Sequence, residues 1–116
     1  MKANQNPLIE WQANEGAAEL IVPYKKFIPD FLHIYNPILG YGDIFVAIAS
    51  LSGYYGVSDM VIQNRIKNLN YEIYQVASGV HIDSVVVLSQ TLQKRLNITV
   101  PDWYDSAVMH AVFGEA

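Results

Sequence analysis

The chain has 116 residues, the size of one small domain, and 52% of them are hydrophobic, ample for a core. Its net charge of −4 argues against a nucleic-acid binder. With no cysteine it can form neither disulfides nor thiolate metal sites.

Met1–Asn6 is polar, and no apolar signal-type run follows it. The longest clean apolar run, Ile44–Ala49, is far short of the roughly 18 residues a membrane helix needs. A cytoplasmic protein with no membrane partner is the expectation. No internal repeat interrupts the reading of a single domain over 1–116.

The first element is a helix over about Pro7–Val22. Asn6 can cap it, and Pro7 suits the first helical position. Ile9, Ala13, Ala17, Leu20 and Ile21 recur at helical spacing, and Pro23 ends the run. Ala13, Gly16 and Ala17 are small enough for another helix to approach closely, so self-association through this helix is expected if a neighbouring segment is missing. Glu10 lies beside the apolar face, where a carboxylate needs a cation or hydrogen-bond donors.

A second helix is expected within Tyr24–Tyr35, starting near Ile28 so that Pro29 falls in its first turn. Asn36–Gly42 is a loop. Asp43 caps a third helix, Ile44–Tyr55, whose inner face is Ile44, Phe45, Ile48, Leu51, Ser52 and Tyr55, with Gly56 closing it. Ser58 caps a fourth helix reaching about Leu69, with Ile62, Ile66 and Leu69 inward. Helix, short glycine-containing turn and helix over 44–69 outline a helix-turn-helix. Its second helix offers Gln63, Asn64, Arg65 and Lys67, residue types that read bases. Over Ile44–Asn70, however, only Arg65 and Lys67 stand against Asp59, whereas specific binders neutralise several phosphates. DNA is therefore a disfavoured partner.

Asn70–Val80 reads first as a helix ending at Gly79 and second as a short β-hairpin near 71–82. Asp83 or Ser84 caps a fifth helix to about Leu96, striped by Val85, Leu88, Leu92 and Leu96. The β-branched run Val85–Val87 also fits a strand start. Asp102 caps a last helix, Trp103–Phe113, ending at Gly114. The expected fold is mainly α: five or six short helices in one domain. His33, His81 and His110 are far apart and in no His-Glu-x-x-His, and His33 and His110 read as structural.

The stretch Glu10–Pro23, EWQANEGAAELIVP, resembles the second motif of the ImmA/IrrE family of zinc metallopeptidases. The likeness runs on through Leu51–Tyr71 and more loosely to the C-terminus. Gly16 departs from it, since the family usually has a large apolar residue there. The resemblance implies that 7–35 is the second-motif half of a peptidase core and 43–116 its helical C-terminal part. It implies zinc held by two histidines of an earlier His-Glu-x-x-His helix and by Glu10. Glu19, in the family-like Ala-Ala-Glu-Leu, is expected to hold a structural hydrogen bond. The resemblance also implies repressor-type protein substrates, in mobile elements or stress regulation. No His-Glu-x-x-His occurs in these 116 residues, so this chain alone is expected to bind no zinc and to be inactive. The implied partner is an upstream peptidase half. The alternative is a non-catalytic helical binding or regulatory protein.

Overall fold

In a computed structural model, residues 18–101 and 103–113 are described. Within them the chain is mainly helical, as expected, and residues 18–21 are helical. Glu10, the remainder of the helix expected over Pro7–Val22, Asp102 and Gly114 lie outside the described residues.

Helix α1, Tyr24–Ile34, starts a full turn earlier than Ile28 and carries Pro29 in its interior. Proline there removes one hydrogen bond, to the Lys25 carbonyl. The burial of Phe27, Ile28 and Phe31 on one stripe outweighs that loss. Pro23 offers no side-chain cap. The Glu19 carboxylate supplies it instead, accepting the Tyr24 N–H at 3.3 Å from either oxygen.

The loop after α1 is built on Asn36, whose Oδ1 accepts the Ile38 and Leu39 N–H groups at 2.9 Å each. Asn36 also pairs with Tyr41 across the loop. The chain then turns back so closely that a Cβ on Gly42 would stand 2.0 Å from the Ile34 carbonyl oxygen, at φ +96°. Both the clash and the left-handed backbone exclude a side chain. Gly42→Ala is expected to cost about 2 kcal/mol in urea unfolding, whereas Gly40→Ala, with open space around it, meets only the backbone term.

Helix α2, Ile44–Tyr55, has Asp43 as its cap, the carboxylate accepting from Phe45 and Val46, and ends at left-handed Gly56. Its buried face is Ile44, Ala47, Ile48 and Leu51, while Phe45 is 44% exposed, so Ala47 takes the inner position expected of Phe45. Helix α3, Asp59–Asn68, is capped by Ser58 and buries Ile62, Arg65 and Ile66. The axes of α2 and α3 bend by 112° across a three-residue turn, the geometry of a helix-turn-helix. Helix α4, Asn70–Ala77, follows at once, and Gly79 and Val80 donate back to Val76 and Gln75 to end it. The β-hairpin alternative near 71–82 is not formed, since this segment is helix followed by a 3-10 turn, Ile82–Ser84.

The expected fifth helix is corrected. Only Gln90–Arg95, α5, is helical, with Ser89 as its cap. Residues 85–89 run outside any helix, and Leu92 and Leu96 are exposed. Side chains of α4 hold this segment. The Gln75 carboxamide donates to the Val86 carbonyl at 2.8 Å and accepts its N–H at 3.0 Å, and Glu72 accepts the Leu88 N–H at 3.0 Å. These bonds satisfy main-chain groups that a helix would otherwise pair, and the β-branched residues suit the extended path.

Helix α6, Trp103–Phe113, closes the fold by setting Trp103 and Ala107 into the core. Helix α2 packs against α1, α3 and α6, and α4 packs against α1 and α3. The core formed between them includes Val22, Phe27, Phe31, Ile44, Ile48, Ile62, Ile66 and Ile73. Among the described residues no single helix is long and apolar enough to cross a membrane.

Candidate functional site

Among the described residues the buried cation is Arg65. It stands three residues after Ile62 and four before Leu69, so helix geometry turns it inward with them. Only 3% of it is exposed. Its Nε donates to the Val22 carbonyl at 3.1 Å, and its Nη2 donates to Glu19 Oε1 at 2.7 Å. Glu19 in turn accepts the free N–H that opens α1. One guanidinium thereby joins the end of the Ala17-Ala18-Glu19-Leu20 stretch, the start of α1 and the middle of α3. The structural hydrogen bond expected of Glu19 is present.

This placement bears on Arg65 as one of the residues to which the disfavoured DNA reading gives a base-reading role. Its charged group is committed to the interior and does not reach the outer face of α3. Of the other residues named for that role, Asn64 and Lys67 are exposed and Gln63 is half-buried. Lys67 lies over the Tyr104 ring, 5.2 Å from its centroid. The spacing Ile62–Arg65–Ile66–Leu69 carries the signal that Arg65 faces inward. Its partner, Glu19, lies 46 residues earlier and has no local signature.

Glu72 is a second interior charge, 1% exposed. One oxygen accepts from Leu88, and the other is shielded from solvent without a partner. Burial raises its carboxyl above the ordinary carboxylate range, against the opposing pull of the Leu88 N–H and of the Arg65 charge. The folded state therefore holds this proton more tightly than the unfolded chain. The resulting stabilisation is complete at acid pH and is lost as pH rises through the raised value. Glu72→Gln should remove that slope. The variant is expected to be more stable than the parent near neutral pH, with the difference closing toward about pH 4 in urea melts.

An open depression of about 400 Å³ lies between α1 and α2, lined by Asp30, His33, Ile34, Ser50, Leu51 and Tyr54. Asp30 Oδ2 there accepts the Tyr55 hydroxyl at 2.9 Å and the Lys26 ammonium at 3.1 Å. Burial, reinforced by the bond to Asp30, pushes the Tyr55 hydroxyl well above its usual value and keeps it neutral. Asp30 is thus held as a structural acceptor, and His33 stands at the rim of a shallow surface.

Among the described residues no group of three or more His, Cys, Asp or Glu converges as a metal site. The described part supplies no zinc set, and Glu10, the one ligand the resemblance implies, lies outside it.

The class defined by these observations is a small all-helical protein with a helix-turn-helix-type pair tied to the preceding helix end by a buried arginine. Comparisons with protein-family models, with curated proteins and with solved structures found no match.

Proposed function

We propose that this chain is the C-terminal portion of an ImmA/IrrE-like zinc metallopeptidase, acting as the scaffold that seats the second-motif helix. The observation that carries the reading is the Glu19–Arg65 tie. It fixes the end of the motif-bearing segment to the helical body on one side, through Glu19 and buried Val22. The other side, Leu20 and Ile21, stays 86% and 54% exposed, as expected of a helix end with a further apolar neighbour to meet. In this reading the neighbour is an upstream half bearing His-Glu-x-x-His. Glu10 is the ligand this chain adds to the two histidines, and zinc supplies the activated water for peptide hydrolysis. Without that half the chain is inactive, binds no zinc and pairs with a second copy through the segment that carries Ala13, Gly16 and Ala17. Its substrates are repressor-type proteins of a cytoplasmic regulatory system.

The test is the zinc content of a polypeptide that joins the upstream half to this chain. About one zinc per chain, lost on Glu10→Ala, is the expected result. Equal zinc in both overturns the assignment of Glu10.

A second reading is favoured by the 112° pair α2–α3, which leaves Asn64 and Lys67 on the outer face. There the chain is a non-catalytic regulatory protein that uses the pair to bind another protein or, less readily, DNA. Salt-dependent duplex binding that weakens on Lys67→Ala would support the DNA form of it.

A further inference from the structure

Two adjoining depressions, each of about 270 Å³, meet at Asn70 on the side of the molecule formed by the α3–α4 junction, α5 and the start of α6. The first is lined by Lys67, Asn70 and Tyr104, and the second by Asn70, Tyr71, Gln90 and Lys94 among others. We propose that together they form a groove that binds an extended acidic peptide segment of another protein, gripping its main chain with carboxamides and its acidic side chains with Lys67 and Lys94.

Three observations point to this occupant. The first is charge. Lys25, Lys26 and Arg65 are each matched with an acid. Among the described residues Lys67, Lys94 and Arg95 have no such acidic partner, and two of the three, Lys67 and Lys94, line this groove in a chain whose net charge is −4. Asp105, the one acid among the described lining residues, stands in the first depression with Lys67, so the excess positive charge of the groove rests on Lys94.

The second is chemistry. A carboxamide presents one donor and one acceptor side by side and so matches a peptide N–H and C=O. This protein already uses that match. Gln75 holds Val86 by paired bonds of 2.8 and 3.0 Å, fixing an extended strap against a helix. Gln90, at an exposed position of the groove, offers the same group to a segment from outside.

The third is an unmet group. Asn70 Oδ1 is turned inward and has no donor. Rotation of this carboxamide toward a bound main-chain N–H would satisfy it. Two cations without a basic stripe suit a short acidic peptide better than a polyphosphate backbone.

The experiment uses the purified 116-residue chain and fluorescence anisotropy. The probe is a blocked, dye-labelled hexapeptide alternating glutamate and valine. The expected result is saturable binding, at least about tenfold tighter than to the same peptide with lysine in place of glutamate. Lys94→Glu and Gln90→Ala, both at exposed positions, should each weaken it by about tenfold with the circular dichroism spectrum unchanged. N-methylation of the peptide main chain should abolish it. Equal affinity for the acidic and basic peptides, no saturation up to millimolar peptide, or full retention by the N-methylated peptide would each overturn the proposal. Tighter binding of a hexathymidylate would overturn it in favour of a nucleic-acid site.

Discussion

Arg65→Ala is expected to destabilise the protein by about 3 kcal/mol, read as a fall in the urea midpoint at unchanged slope. Three losses add. The buried stem leaves space beside Ile62 and Ile66, which pack in the same interior. The Val22 carbonyl loses the Nε donor it has at 3.1 Å, and Val22 is fully buried. Glu19 loses its 2.7 Å partner, though its side chain is 47% exposed and water can compensate there. The asymmetry yields a second expectation. Glu19→Ala leaves the guanidinium buried with only Val22 and the field of Glu72, so it too should be clearly destabilising even though it removes the more exposed partner. Under a DNA-reading role, Arg65→Ala would instead weaken duplex binding at unaltered stability.

Phe31→Ala should cost about 4 kcal/mol, more than the loss of Arg65. The Phe31 ring is fully buried and stands 6.0 Å from Phe27, 6.0 Å from Tyr35 and 5.9 Å from Trp103. Truncation opens a cavity where α1 meets α6 and removes three aromatic contacts at once. Phe31→Leu keeps most of the volume and should cost about 1.5 kcal/mol. If the two variants unfold at the same urea concentration, the ring does not join α1 to α6 as described.

Elements whose signals are local are legible in the amino-acid sequence. Asp43, Gly56 and Ser58 mark the ends of α2 and α3 because a cap acts within one turn of its own position. The stripe Ile62, Ile66 and Leu69 is readable for the same reason. Residues 85–89 are not, because the partners that hold them extended, Gln75 and Glu72, sit on another element. The start of α1 is misjudged from sequence because proline weighs against a helix locally, while the burial that overrides it involves the whole core. Residue type alone suggests a base-reading role for Arg65. Its spacing with Ile62 and Leu69 is the better guide, and only the fold brings Glu19 to it.

We propose that these residues are the back half of a longer peptidase, with the motif segment pinned to the helical body through Glu19 and Arg65. It is tested most directly by the size of the natural protein. An antibody against this chain, used on a blot of the source cells, should reveal a band well above 13.0 kDa. Mass spectrometry of that band should find a His-Glu-x-x-His segment ahead of Glu10. A single band at 13.0 kDa would contradict the proposal and favour the non-catalytic binding reading.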